Sequence, residues 1–404
     1  MKTVEGGVCA AKGFKASGIH CGIRRNKSKK DLALIVSDNI AAAAAVYTQN
    51  LVKGAPLQVT MRHLKNGQAR AIICNSGNAN TCNADGERVA QETCCALGKA
   101  IGADANDIVV ASTGVIGLPM SVDPIVNGLG ELCANLSENG SSDAAQAIMT
   151  TDTVQKEFAV SFEIGETECH IGGIAKGSGM IHPNMATMLV FVTTDAAISS
   201  GLLQKALSED IKDSFNMVSI DGDTSTNDMV CVLANSAAGN KEIKEGSVEY
   251  ETFKTALAAV TRHLCKEIAK DGEGATKLIE CSLSGASTKD TARTAAKSVI
   301  CSSLVKSAMF GADANWGRVL CALGYSGADI DVSKIDVSFV SEAGEIEVCR
   351  NGAGVNFSEE KAKEILLKDE ITIKVNLNSG MQCAEAWGCD LTYDYVRING
   401  DYRT

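Results

Sequence analysis

Residues 175–189 read AKGSGMIHPNMATML, and the apolar run that begins at Met188 continues to Val192. Gly177, Gly179 and Pro183 constrain a turn ahead of the pair Ala186-Thr187. A threonine hydroxyl in mid-chain is a poor nucleophile because no base is attached to it. A cut before Thr187 would place a new α-amine one residue's length from Oγ, where it could serve as that base. An α-amine has an ordinary pKa of roughly 7.7–8.0, so a good fraction is neutral near physiological pH. The segment can thus create its own catalytic group by cleavage between Ala186 and Thr187. The same letters also describe an ordinary loop running into a buried strand.

The rest of the chain sets bounds on that chemistry. Its 404 residues leave room for two lobes with sizeable cores. Hydrophobic and charged contents of 45% and 22% are those of a globular enzyme. A net charge of −11 argues against nucleic acid or an anionic membrane as partner, since both need a basic footprint. No apolar run approaches the roughly 20 residues that span a bilayer. The first residues, MKTVEGGVCAAKGFKASG, hold no apolar signal region, so the chain reads as cytoplasmic. Sixteen cysteines are scattered without any Cys-x-x-Cys, and none of the five histidines completes a zinc spacing. Settings such as AIICN, VICSS and VLCAL suit buried free thiols, and no metal site is expected.

Strands and helices mix throughout. Strands are expected at Leu32–Val36, Ala71–Cys74, Ile108–Ala111, Phe158–Ile164, Met188–Thr193, Val230–Leu233, Ile335–Val340 and Ile371–Val375. The clearest helix covers 248–270, where Phe253, Leu257, Val260, Leu264 and Ile268 recur at spacings of three and four. Ser247 would cap it and Asp271-Gly272 would stop it. Further helices are expected at Gly86–Ile101, Ile198–Phe215, Asp290–Ala308 and Glu359–Leu367. This is an α/β chain without regular βαβα alternation. A cut at 186/187 would give pieces 1–186 and 187–404 that remain interlocked in one sheet system.

The segment KGSGMIHPNMATML resembles the processing site of the ornithine acetyltransferase family, the bifunctional glutamate N-acetyltransferases. The resemblance extends from KGFKASGIHCGI near the N-terminus to NGDYRT at the C-terminus. It implies a layered α/β/β/α sandwich related to the self-processing aminopeptidases. It also implies cleavage into an alpha chain, 1–186, and a beta chain, 187–404, assembled as a heterotetramer of two of each. The implied enzyme is an acyltransferase of arginine biosynthesis. Thr187 Oγ takes the acetyl group of N2-acetylornithine and passes it to glutamate, giving ornithine and N-acetylglutamate. No cofactor is implied. Some members also acetylate glutamate from acetyl-CoA, and the sequence leaves that use open here.

An oxygen nucleophile needs donors aimed at the developing oxyanion. VVASTGVIG puts Thr113-Gly114 at the end of an apolar strand, where an isolated Ser-Thr-Gly would be read as a turn. The family uses the matching Thr-Gly as its oxyanion hole. Lys176, in the Gly-rich segment, could depress a nearby α-amine or bind a substrate carboxylate. The family assigns substrate contact to this lysine and to a threonine of MTTDT, placed at Thr153 with Thr150 and Thr151 as rivals. Glu273, in KDGEGATK, reads alone as an exposed turn acid, and Asn399 and Thr404 as parts of a frayed end. The resemblance makes all three substrate contacts, Glu273 for the cationic amino group of ornithine.

His182 reads as structural. IDGDTSTND (220–228) begins like a calcium loop but lacks its central Gly and its twelfth-position Glu. CNSGNANTCN (74–83) and GADANWGR (311–318) read as tight loops with no assigned chemical step. Two rival functions stand beside the transferase: a self-processing aminopeptidase or amidase, in which water accepts the acyl group, and an uncleaved metabolite-binding protein. A single band on a denaturing gel would mark the latter.

Overall fold

The computed structural model describes residues 1–182 and 188–401. They form an α/β sandwich, with mixed sheets carrying helices on their faces, the class that the resemblance implies. The described residues fall into two compact units, one of residues 1–177, 188–212 and 224–264, the other of 178–182, 213–223 and 265–401.

The first unit carries β1 (Lys2–Val4), β2 (Phe14–Ile19), β3 (Leu32–Tyr47), β4 (Gln68–Asn75), β5 (Ile108–Ser112), β6 (Lys156–Ile164), β7 (Thr167–Lys176) and β8 (Leu189–Thr194). Beyond β9 (Val218–Ser219), which belongs to the second unit, comes β10 (Met229–Ala234). One nine-stranded sheet runs β1-β6-β7-β8-β10-β3-β4-β5, with β2 alongside β3. Its helices are α1 (Ala55–His63), α2 (Gly86–Ile101), α3 (Asp123–Ala134), α4 (Ser141–Ile148), α5 (Ser200–Asp210) and residues 248–264 of α6 (Val248–Lys270).

The parallel pair β8 and β10 is buried along its whole length, from Leu189 opposite Met229 to Thr194 opposite Ala234. Burial on both faces is why LVFV and MVCVL read as continuous apolar runs and not as alternating ones. Leu189, Phe191, Met229 and Cys231 enter one core with Phe14, Ile35, Ile72 and Ile148. A second core joins Leu32, Leu34 and Ile73 to Val89 and Leu97 of α2 and Leu129 of α3. Each large side chain so buried is worth about 1.5–3 kcal/mol.

Two elements depart from the sequence expectation. β3 does not end at Val36 but runs through the alanine-rich stretch to Tyr47. Alanine favours strands weakly, so the ladder decides: Ala42–Ala45 lie opposite Ala234–Cys231 of β10. Small side chains also admit α5, whose Gln204 amide oxygen accepts from Ala45 N at 3.1 Å. α5 itself is shorter than the expected Ile198–Phe215, and the Ser199 side chain caps its start.

The second unit holds β9, β11 (Leu278–Ala286), β12 (Asp336–Ser341), β13 (Gly344–Arg350), β14 (Ala353–Gly354), β15 (Glu370–Asn376) and β16 (Gln382–Cys389), in the order β14-β13-β12-β15-β11-β16-β9. Its helices are α7 (Lys289–Cys301), α8 (Ser303–Phe310), α9 (Trp316–Gly324), α10 (Glu359–Leu366) and α11 (Tyr393–Gly400), with the last turns of α6. The single helix expected over Asp290–Ala308 is thus two. Ser302 adopts an extended conformation and its hydroxyl accepts from Val305 N at 3.3 Å, so it starts α8 instead of continuing α7.

All sixteen cysteines are free thiols, half of them buried. Among the described residues no helix is long and apolar enough to cross a membrane, and no group of three or more His, Cys, Asp or Glu side chains could hold a metal ion.

Candidate active site

In the first unit, β5 delivers Thr113 and Gly114 at its C-terminal end. Gly114 has φ +129°, and a Cβ there would lie 2.4 Å from the Gly77 carbonyl carbon, so only glycine fits. The turn is held by the 74–83 loop, to which the sequence assigned no step. Thr113 N donates to Asn75 O at 2.9 Å, Ser112 Oγ to Asn75 Oδ1 at 2.6 Å, and Asn75 Nδ2 to Asn78 O at 2.9 Å. Asn227, from the rejected calcium-like stretch, donates from Nδ2 to Ala79 O and Ser112 O at 2.6 and 2.9 Å. These two polar loops are scaffold for the Thr-Gly turn.

Lys176, the last residue of β7, is buried and donates from Nζ to Thr113 Oγ1 at 3.3 Å. An ammonium group can only donate. It therefore occupies an acceptor position on the hydroxyl and leaves the hydroxyl proton to be given elsewhere, as an oxyanion donor requires. Behind it lies Asp152, which sequence reasoning missed. Its Oδ1 accepts from Lys156 Nζ and from Gly177 N, both at 2.7 Å. Burial by itself would raise this carboxyl, but the charges of Lys156 and Lys176 hold it below the usual carboxylate range. Asp152 also accepts from Thr150 N at 2.9 Å, which ties Thr150 into the scaffold, while Thr153 is exposed on the turn before β6. Its pairing with Lys156 is local, but the burial of that pair and the Gly177 contact are set by tertiary placement and leave no mark in the sequence.

In the second unit, residues 178–182 form a clamped turn. Met180 has φ +56°, a left-handed conformation uncommon for a side chain of its size. Asp221 offsets that strain by accepting from Met180 N at 2.6 Å and Ile181 N at 2.9 Å. His182 Nδ1 lies 3.0 Å from Ser219 Oγ and 3.5 Å from Cys301 Sγ. Burial, assisted by the charge of Lys297, pushes the His182 imidazole down to about 4, so it is neutral at physiological pH.

Glu273 is not an exposed turn acid. It is buried, its N donates to Ser178 O at 2.8 Å, and its carboxylate lies against the Cα of Gly179. Asn399 Nδ2 donates to Glu273 Oε2 at 2.8 Å, joining two of the expected contacts directly. The terminal helix α11 that carries Asn399 is docked, with Thr392 Oγ1 on Gly274 O at 2.6 Å and Tyr395 OH on Asp221 Oδ2 at 3.2 Å. Asp221 was missed as well; its only trace in the sequence is the DGD run. Ala186, Thr187 and Thr404 lie outside the described residues.

An α/β sandwich that buries a lysine against a Thr-Gly turn in one unit, and an amide-held glutamate in the other, has the equipment of a small-molecule enzyme. Residues 15–404 match the ArgJ family. The chain is 52% identical to the arginine biosynthesis bifunctional protein ArgJ 1 of Clostridium acetobutylicum, over 97% of this chain and 96% of that one. It is also 52% identical to the ArgJ bifunctional protein of Symbiobacterium thermophilum, over the full length of both. A crystallised ArgJ chain from Bacillus halodurans is 47% identical with TM-score 0.50, covering 52% of this chain and 97% of that chain. This chain belongs to the ArgJ family.

Proposed function

We propose that this protein is a bifunctional acyltransferase of arginine biosynthesis that works through an acetyl-threonine. Cleavage before Thr187 frees an α-amine, which takes the proton of the Thr187 hydroxyl as Oγ attacks the acetyl carbonyl of N2-acetylornithine. Thr113 and Gly114 stabilise the oxyanion, the amide C–N bond breaks, and ornithine leaves with the proton. Glutamate's amine then takes the acetyl group, giving N-acetylglutamate. Lys176 and Thr153 together with Glu273, Asn399 and Thr404 hold the polar ends of the amino acids. Acetyl-CoA serves as a second acetyl donor, and the fragments assemble as two alpha and two beta chains in the cytoplasm.

The observation that carries this reading is the family match over nearly the whole chain. Two pairings support it: Lys176 with Thr113, and Glu273 with Asn399. The Bacillus halodurans chain corresponds to about 210 residues of this one (52% of 404), close to the 218 of a fragment 187–404. The test is mass spectrometry of the denatured protein before and after incubation with acetylornithine alone. Two fragments, the second beginning at Thr187 and gaining one acetyl group, are expected. A full-length mass in an active preparation would refute the scheme, and acetate release without transfer to glutamate would favour the hydrolase.

A further inference from the structure

The loop 22–30, GIRRNKSKK, places five cations in seven residues with no acid among them, in a chain of net charge −11. Its base is pinned. The buried Asp31 carboxylate accepts from Cys21 N at 2.6 Å, Gly22 N at 3.2 Å and Arg24 N at 2.8 Å. The Arg24 guanidinium donates to the carbonyl oxygen of Met149, the first residue of the MTTDT stretch. Its aliphatic stem crosses Gly77, where a Cβ would lie 2.8 Å from Arg24 Cγ, and the Gly77 carbonyl carbon is the atom that excludes a side chain at Gly114. The basic loop therefore borders the Thr113–Gly114 turn within one unit.

Lys30 pairs with Asp143, while the exposed Arg25, Lys27 and Lys29 side chains make no hydrogen bond or ion pair among the described residues. Like charges so near one another in the chain repel, and the two neighbouring carboxylates are engaged elsewhere, Asp31 on the loop's backbone amides and Asp143 on Lys30, so neither pairs with these three. A polyanion would offset them. The acidic surface of the remaining chain disfavours an extended one such as nucleic acid, whereas a small phosphorylated ligand fits beside an oxyanion turn. We infer that residues 24–29 form the docking site for the phosphates of a nucleotide-bearing acyl thioester, the second acetyl donor. The acyl step is the one proposed above, with Thr187 Oγ attacking the thioester carbonyl in place of the amide carbonyl. The C–S bond breaks as the C–O bond forms, and the departing sulfur takes the proton.

The inference rests on the acyltransferase reading, and the test separates the two. The triple variant Arg25→Ala, Lys27→Ala, Lys29→Ala changes exposed side chains alone. Both proteins are assayed with glutamate and three donors: acetylornithine, acetyl-CoA and the phosphate-free thioester S-acetyl-N-acetylcysteamine. Coenzyme A binding is measured by calorimetry at two salt concentrations. The expected result is a KM for acetyl-CoA raised about tenfold or more, with weakened coenzyme A binding and unchanged kinetics for the other two donors. Unchanged coenzyme A binding in the variant overturns the inference. So does a wild-type protein that transfers from acetylornithine but neither binds coenzyme A nor uses its thioester, which leaves the transferase reading standing. If transfer from acetylornithine fails while coenzyme A binding depends on the three cations, the docking site stands and the transferase reading falls.

Discussion

Gly179 carries no positive φ, so its need for glycine is purely one of space: a Cβ there would lie 2.3 Å from the Glu273 carboxylate. Gly179→Ala should displace that carboxylate while leaving the fold intact. Steady-state kinetics should show a KM for acetylornithine raised roughly tenfold with circular dichroism unchanged, since a misplaced charged hydrogen bond costs about 1.5–3 kcal/mol. Asp228 is the other instructive residue. It is fully buried, its Oδ2 has no hydrogen-bond partner among the described residues, and burial pushes its carboxyl well above the ordinary range against the pull of Ser225 and Lys176. A carboxyl raised on folding loses stability as pH climbs from the unfolded value of about 3.9. Asp228→Asn should therefore unfold at higher urea than the wild type at pH 7, by about 1–3 kcal/mol. The difference should close as pH falls toward 4; equal midpoints at both would show that the carboxyl is not strained. At this scale the sequence was legible only where residues sit in motifs. Glu273 and Asn399 read alone as a turn acid and a loose end, and the resemblance gave them their role. Asp221 and the Gly177 contact of Asp152 escaped because those backbone amides are 25 to 41 residues away, while the local Asp152–Lys156 pair reads in the sequence as an ordinary surface ion pair.

Among elements, α11 bears most directly on the proposed function. Its Asn399 reaches Glu273, and Tyr395 reaches the Asp221 that fixes Met180 and Ile181. Removing the last six residues, from Asn399 onward, leaves Tyr395 in place but deletes the Glu273 contact. Acetyl transfer should then fall tenfold or more in kcat/KM, by the same hydrogen-bond magnitude, while self-cleavage on a denaturing gel proceeds. Normal kinetics in the truncated protein would remove the tail from substrate binding. Element legibility followed the strength of the local signal. The 3.6-residue period of α6 and the buried runs of β8 and β10 are intrinsic to their sequences, and each was found where expected. The alanine run of β3 has no strand signal of its own and becomes one by pairing with β10. Ser302 falls inside the helix expected over Asp290–Ala308, yet serine competes for backbone hydrogen bonds and favours caps, and here its side chain accepts from Val305 N and starts a new helix.

For the molecule as a whole, the consequence of cleavage is set by the first sheet. A cut before Thr187 would leave β1–β7 on one fragment and β8 and β10 on the other, yet all nine strands form a single sheet. β8 lies between β7 and β10, paired with β7 from Leu189 opposite Lys176 to Thr194 opposite Ile171. β10 in turn pairs with β3 from Met229 opposite Tyr47 to Ala234 opposite Ala42. Phe191 and Met229 of the later fragment share a core with Phe14 and Ile35 of the earlier one. The two pieces should elute as one species on size exclusion in native buffer and part only in denaturant. Residues 1–186 expressed alone should be insoluble, because β7 and β3 would each present an unpaired apolar edge in the middle of the sheet. Fragments that separate in native buffer would mean that these ladders do not survive processing. Co-elution with retained activity would identify cleavage as a way of exposing one amine at no expense to the sheet, since the ladders that bind β8 to its neighbours join residues 171–176, 189–194 and 229–234.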